Sequence, residues 1–499
     1  MQSLIQEVRE RPKTYALFFL MFLSYFTIVH NYAYPAALFW DENYHIASAQ
    51  KYLNGVYFME PHPPLGKMMI ALGEKLVNVN PVDNQFIGTD YATNPPAGFS
   101  FAGYRLFPVL LAWLTVPVLF GIFWFLTRKT LLSTVFTLFY ALDNAMIVHN
   151  RSAMLESTLL FFGSLTVLAF LLLLEWKDNR KKFAWASLLF GAAFGLTLAT
   201  KAFGLIFILL VPALAWALRR EWRKLARFGW MSLIAFLIAY CGVWQLHFGI
   251  ASKVVSSLPD NGYYQASATY ESILQNHQVW NPLAFPIMLR DSINFVGHYQ
   301  RGVPRLDLCK ADENGSPWFY WPFGARSISY RWETPDGNSY RYLYLQSNPV
   351  VWAIGFAGVL LSLVLLLGHL LLPVATKLKH PLRLLTFLAV YLSFMAAVSQ
   401  ITRVMYLYHY FIPLAISFLL AALAFDEIDM IGKWKLTERR KEFALLGLAA
   451  LAFVSFEFFA PLTYYKPLSD DMFKKRDIFR LWELKCVHCN QDSPVAVPK

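Results

Sequence analysis

The sequence predicts an all-α polytopic membrane protein of about 11 transmembrane helices, with a large first external loop carrying amphipathic helices. Three observations predict it. Hydrophobic residues make up 57% of the 499 and charged residues 15%, against roughly 25% charge in soluble domains. The apolar residues fall in runs long enough to cross about 30 Å of hydrocarbon as a helix. Lys and Arg gather in the short loops between runs, which accounts for the net charge of +12 without a nucleic-acid partner and makes the lipid bilayer the expected surroundings.

The runs cover 14–31, 104–126, 131–148, 153–174, 183–200, 202–218, 228–248, 349–372, 384–400, 405–425 and 443–460. The first follows Arg9, Arg11 and Lys13 and lacks a small-residue cleavage site, so it reads as an uncleaved span. The stretch 183–218 would be about 54 Å long as one helix, too long for one crossing. Both its ends are basic, and Lys201 is the one charge inside it. Two crossings with the turn near Lys201 keep the ammonium out of the membrane centre.

With the N-terminus inside, the internal loops hold 22 of the 44 Lys and Arg, which fixes the expected orientation. The organisation is then an N-terminal block, 1–248 (spans one to seven), with external loop 32–103; an external region, 249–348; a C-terminal block, 349–460 (spans eight to eleven); and an external tail, 461–499. Long loops in compact proteins usually carry function, and all three long segments face one side.

In the first loop, Trp40-Asp41-Glu42 directly follows the first span. Two adjacent acids there are either a solvated helix start or a carboxylate at a cavity mouth, available as a general base. His62-Pro63-Pro64-Leu65-Gly66-Lys67 opens a run with apolar residues at Leu65, Met68, Met69, Leu72, Leu76 and Val79. That spacing makes an amphipathic helix on the membrane surface. His62 and Lys67 either anchor it or stand near a lipid phosphate.

The acidic pair followed by this hexapeptide resembles the protein O-mannosyltransferase family, glycosyltransferase family 39 of GT-C architecture. Leu142-Asp143-Asn144 with Arg151 and Leu155-Glu156-Ser157 is similar to a family segment, although Glu156 stands where the family usually has Asp. Phe295-Val296-Gly297-His298-Tyr299, Ser316-Pro317-Trp318-Phe319-Tyr320-Trp321-Pro322, Ser347-Asn348-Pro349 and Tyr408-His409-Tyr410 extend the likeness in order. The 100-residue 249–348 region has no triple repeat, as in the short bacterial members without the β-trefoil (MIR) domain.

The resemblance implies an inverting transfer of mannose from a polyprenyl-phosphate-mannose donor to Ser or Thr hydroxyls of proteins emerging from translocation. It implies a bacterial inner membrane with the site on the periplasmic face. Asp41 is then the catalytic base. Glu42 is a second catalytic candidate, an acceptor contact or a local structural partner. A lipid phosphate leaves without a protonated acid if cations and donors receive its charge. Lys201, Arg105, His62, Lys67, Arg151, Arg403, His409 and Tyr408 are the candidates for donor phosphate and sugar. Lys201 has snorkelling as its alternative, Arg105 pairing with an acid, and Arg403, Tyr408 and His409 an interfacial aromatic belt. Trp318 and Trp321 are candidates for stacking on the acceptor. No cofactor or metal is required; a divalent cation is compatible with Asp41, Asp143 and Glu156.

Cys486-Val487-His488-Cys489 has the spacing of zinc and redox sites. Without a second pair, and on an external tail, a local disulfide or idle thiols is the expectation. Two alternatives stand beside protein mannosylation: a related polyprenyl-phosphate-sugar transferase acting on a lipid or glycolipid acceptor of the lipid A type, and a transporter. The transporter would need polar residues along a path through the bilayer, whereas here they gather at one face.

Overall fold

The computed structural model describes residues 10–310, 312–334, 339–372, 377–487 and 489. Arg9, part of the 373–383 loop, and His488 lie outside the described residues.

Helix meets every expected run, but the runs are not equivalent. Among the described residues, eight helices are long and apolar enough to cross a membrane: Pro12–Val29, Ala102–Thr127, Glu156–Glu175, Trp222–Ile250, Pro349–Leu371, Pro381–Ser399, Leu407–Glu427 and Glu438–Thr463. A ninth exists if Thr130–Ala141 and Asn144–Asn150, bent by 59° at their junction, count as one span. The Asp143 side chain caps the second of these, accepting from Met146 N, which is why the helix restarts there. Two expected spans fall short of the same standard. Arg180–Leu198 begins with three cations and is rich in small residues. The 202–217 segment is a 3-10 helix, Ala202–Leu209, followed by an eight-residue α-helix, Leu210–Ala217. Lys201 stands at the break between them in extended conformation.

A small sheet accompanies the helices. The strands Ile328–Glu333 and Tyr340–Leu345 pair antiparallel, and Pro467–Leu468 adds a third strand on the far side of the second. Alternating buried and less buried positions along Ile328–Glu333 follow from the two-residue period of a strand. Residues of the 249–348 region and of the 461–499 segment, far apart in the sequence, therefore share one sheet.

The hexapeptide fixes the first loop to the membrane helices. Leu65 N donates to Ala199 O at 2.9 Å, tying the Leu65–Val77 helix to the chain just before Lys201. Gly66 faces Leu155 so closely that a Cβ would lie 2.7 Å from its Cδ2, and at Gly73 a Cβ would meet Gly103 O at 2.3 Å. Only glycine permits both approaches. The other face of the helix presents Leu72, Leu76 and, just beyond its end, Val79 to the outside, an outward apolar stripe.

Candidate active site

Asp41 owes its position to backbone geometry. Trp40 takes a left-handed conformation, φ 52°, with its ring stacked on Tyr330 (centroids 5.3 Å apart) and edge-on to Tyr406 (5.2 Å). This turn sets Asp41 at the N-cap of the Glu42–Leu53 helix, yet its side chain makes no capping bond. The carboxylate turns instead toward the cleft, where Oδ2 accepts from the Tyr408 hydroxyl at 3.0 Å. Asp41 remains partly open to solvent. Its surroundings raise the carboxyl above the ordinary aspartate value by desolvation, while the Lys201 charge and the Tyr408 hydroxyl pull it back down.

Across the cleft, Lys201 is ion-paired with Glu156 Oε1 and lies over the Tyr408 ring, 5.5 Å from its centre. Glu156 Oε2 bonds His149 Nε2 at 2.7 Å, and His149 Nδ1 bonds the Tyr330 hydroxyl at 2.6 Å. The His149 ring stacks on Tyr408 at 4.7 Å. Glu156, Lys201, Tyr408 and His409 then line a small cavity together with Leu159, Leu160, Phe203, Phe411 and Ile412. A second small cavity, lined mostly by apolar side chains, shares Leu160 and Ile412 with the first.

Several expected ligands are elsewhere or already engaged. Arg105 is expected at the phosphate, but the structure buries it completely and uses all five of its N–H donors. Nε and one terminal nitrogen hold Glu42 at 2.7 and 2.8 Å, and the remaining bonds go to the carbonyls of Ala33, Pro35 and Ala37. Its alternative, pairing with an acid, is what the fold adopts. Glu42, expected as a catalytic or acceptor contact, is likewise fully buried and also accepts from Ala153 N at 2.8 Å. It serves local structure. Lys67 is enclosed, bonded to Glu60 at 2.6 Å and Ser48 at 3.1 Å. Arg151 points its guanidinium at the carbonyls of Thr27 and Asn31, over the Tyr464 ring. Trp321, expected to stack on the acceptor, is fully buried, donates to Ser316 Oγ at 2.8 Å and stacks on His409. Asp143 is consumed by its capping bond and by Trp352 Nε1 at 2.6 Å, so it does not join Asp41 and Glu156 in a cation site.

Others remain in reach of the cleft. Burial and the Lys201 and Lys67 charges hold His62 well below the ordinary histidine value, so a neutral imidazole faces this cluster. His45, pushed down to about 3 mainly by burial, bonds Ala153 O at 2.8 Å. His409 bonds the Tyr406 backbone through Nδ1 and packs between Phe203, Tyr408 and Trp321. Arg403 donates to Val404 O and lies near Tyr299, Tyr406 and Tyr408. Trp318 is 38% exposed beside Phe319 and Phe323, and Phe323 packs on Phe356 of the Pro349–Leu371 helix. His298 is exposed.

Sequence reasoning did not single out His149, Tyr330, Tyr44 or Tyr91. Tyr44 and Tyr91 meet edge-on at 4.8 Å, and Tyr44 and Tyr299 lie within electrostatic reach of Asp41, forming an exposed tyrosine rim. His149 offered one signal, its place seven residues before Glu156 on the helix-restart segment. Tyr330 offered none, being 181 positions from its partner.

The arrangement combines a partly buried carboxylate, a cation beside a small cavity, and an exposed aromatic rim. Two family models match the chain. "Dolichyl-phosphate-mannose-protein mannosyltransferase" matches residues 18–253, and "C-terminal four TMM region of protein-O-mannosyltransferase" matches 304–482. Protein O-mannosyl-transferase 1 of Rattus norvegicus is 32% identical over 157 residues, 30% of this chain and 20% of the relative. Dolichyl-phosphate-mannose--protein mannosyltransferase 4 of Schizosaccharomyces pombe is 30% identical over 201 residues, 39% of this chain and 25% of the relative. The chain thus spans a quarter or less of these relatives' length. In fold it is similar to a chain of the S. cerevisiae protein O-mannosyltransferase Pmt1-Pmt2 complex bound to the sugar donor, with TM-score 0.76, 16% identity, and 96% and 93% of the two chains covered. It is also similar to the Archaeoglobus fulgidus oligosaccharyltransferase AglB, with TM-score 0.52, 12% identity, and 94% and 58% covered.

Proposed function

Because the chain belongs to the protein O-mannosyltransferase family, we propose that it transfers mannose from a polyprenyl-phosphate-mannose to Ser or Thr hydroxyls of polypeptides, with inversion at the anomeric carbon. The observation that carries this reading is the meeting of Asp41 with the Lys201 cavity around Tyr408. The acceptor hydroxyl reaches Asp41 from the water-facing tyrosine rim. Asp41 takes its proton as the oxygen attacks the anomeric carbon from the face opposite the phosphate. The sugar–phosphate bond breaks, and the leaving phosphate keeps the electron pair.

Lys201 supports the leaving group. Its ammonium has three donors, one engaged by Glu156, so two remain for phosphate oxygens. Charge-assisted donors in a site sheltered from water stabilise developing phosphate charge strongly. His409 lines the same cavity, and neutral His62 stands near Lys201; each can supply a further polar contact to phosphate or sugar. The apolar side chains next to this cavity, Leu160, Phe207, Ile412 and Ile416, offer a surface suited to the first prenyl units of the carrier. A divalent cation has no role in this scheme.

The charge bias of the loops supports an external site, and the resemblance to the short bacterial members without a MIR domain supports the periplasmic face of a bacterial inner membrane. The acceptors are then polypeptides emerging from translocation. The test is transfer from a synthetic polyprenyl-phosphate-mannose to a Ser/Thr peptide by the purified chain, with the product's anomeric configuration read by NMR. Hexose on the hydroxyl with inverted configuration is expected. Transfer only to a glycolipid acceptor moves the assignment to the lipid-modifying alternative.

A further inference from the structure

The transfer scheme leaves the far end of the helices unused. The Trp222–Ile250 helix finishes beside the first loop, where Lys253 N donates to Gly55 O at 2.8 Å. It therefore begins at the opposite end of the molecule, about 40 Å away at 1.5 Å per residue. There the segments 177–182 and 219–227 hold nine Lys and Arg against two acids. Lys224 pairs with both acids, Asp178 and Glu221. Arg180, Lys181, Lys182, Arg219, Arg220 and Arg223 are exposed, and among the described residues none of them forms an ion pair. Elsewhere at this end Arg128 meets Glu175, Lys129 meets Asp426 and Glu438, and Lys379 and Lys441 meet Asp429. Charge is matched there and left over here.

The fold brings the two basic segments together. Lys224 Nζ donates to Asp178 Oδ1 at 2.9 Å. Arg180–Leu198 and Trp222–Ile250 run parallel: Phe190 packs on Phe228 and Phe194 on Phe236, with ring centres 5.4 and 5.5 Å apart, and Ser232 Oγ donates to Ser187 O at 2.8 Å. Both helices thus start at one level with cations in the first turn. A helix start is the unfavourable place for a cation, so the arrangement adds to the local positive potential. Apolar surface adjoins it. The Arg219 guanidinium lies 4.7 Å over the exposed Trp216 ring, and Arg223 lies 5.6 Å over exposed Trp222. An arginine stacked on an indole still offers its planar fork to a phosphate. Trp230, Leu233 and Leu237 then continue an exposed apolar stripe along the same helix, at helical spacing.

We propose that this end of the molecule is a binding site for phospholipids with an anionic headgroup. The headgroup sits on the six unpaired cations, Trp222 and Trp230 lie at the level of the polar–apolar boundary, and an acyl chain follows Leu233 and Leu237. The order of these features along one membrane-length helix selects the occupant. A lipid presents negative charge and then hydrocarbon in that same order, whereas a nucleic acid or an acidic polypeptide would meet the cations and leave the stripe uncovered. The charge selects the headgroup. A zwitterionic lipid brings its own cation to a patch that already repels itself, while an anionic one relieves that repulsion. The binding is independent of the transfer chemistry and of which side of the membrane this end faces.

The test titrates the full chain in detergent with dioleoyl-phosphatidylglycerol or dioleoyl-phosphatidylcholine and reads bound lipid by native mass spectrometry. The anionic lipid should bind at least about tenfold more tightly. Arg219→Gln/Arg220→Gln/Arg223→Gln should abolish that preference. Lys433→Gln/Lys435→Gln/Arg439→Gln, at the same end but outside the patch, should keep it. No preference in the unaltered chain overturns the proposal, because the cations then serve topology alone. Equal loss in both variants overturns it too, because the effect is then diffuse charge. So does displacement of the lipid by polyuridylate or polyglutamate at equal charge, which gives the patch to a soluble polyanion. A second measurement needs no variant. Labelling of Arg219, Arg220 and Arg223 by a dicarbonyl reagent should fall at least about tenfold between nanodiscs of the zwitterionic and of the anionic lipid, and by more than that of Arg439; equal protection of all four overturns the site.

Discussion

Two ion pairs flank Asp41 and are built to opposite specifications. Arg105–Glu42 is closed: every donor of the guanidinium has a partner, and both side chains are fully buried. Lys201–Glu156 is open: its ammonium borders a cavity and retains donors toward it. The closed pair holds residues 33–42 so that the turn at Trp40 aims Asp41. The open pair holds a charge ready for a ligand. Saturation of donors, rather than charge or burial, separates a cation that shapes a site from one that can bind there.

Substitutions break the comparison in graded ways. Asp41→Asn removes the base without disturbing a capping bond. It should lower the transfer rate about 10²–10⁴-fold with unchanged thermal unfolding; near-normal turnover refutes the base assignment. Arg105→Ala strands the Glu42 carboxylate in the interior, and breaking such a pair costs about 3–5 kcal/mol. The effect should appear as a lowered unfolding midpoint in detergent, and a stable protein with weakened donor affinity alone would make this pair a ligand site after all. Lys201→Met should raise the KM for the lipid donor about 10- to 100-fold, the worth of a charge-assisted hydrogen bond, with the peptide KM little changed. Equal effects on both substrates would return Lys201 to a snorkelling role. To keep folding separate, the same measurement is made on Lys201→Met with Glu156→Gln, which leaves no unpaired buried carboxylate.

The smallest effect concerns pH. A protonated Asp41 cannot accept the hydroxyl proton, so activity falls as pH drops through its pKa. Enclosure raises that value and Tyr408 lowers it. Tyr408→Phe should therefore shift the acid limb of kcat/KM to higher pH, with less than about a tenfold loss at the plateau. A limb that stays in place, or moves to lower pH, would mean that a group other than Asp41 sets it.

Much of this was legible in the residues. Hydrophobic run lengths located the helices, and the lone charge in 183–218 marked the break at Lys201. Asp41 was visible as an acid at a boundary. Arg105 was not, because a cation opening a span looks the same whether phosphate or three carbonyls await it. Nor was the fate of Trp321, since aromatic composition does not say which ring is covered. The His149–Tyr330 contact and the sheet depend on chain segments far apart in sequence, and local periodicity carries no information about their meeting. The 183–218 run also shows the limit of hydropathy: Lys181, Lys182 and small residues leave Arg180–Leu198 less apolar than its neighbours.

The three-stranded sheet has a practical consequence. Pro467–Leu468 completes an edge on Tyr340 and Arg341, and the residues after it lock onto Arg326 and Ser327. Shortened expression clones that stop before Pro467 would expose that edge, remove the bonds to Arg326 and Ser327, and loosen the strand bearing Tyr330. Affinity handles for purification belong beyond the last cysteine, on a spacer that leaves this seam untouched.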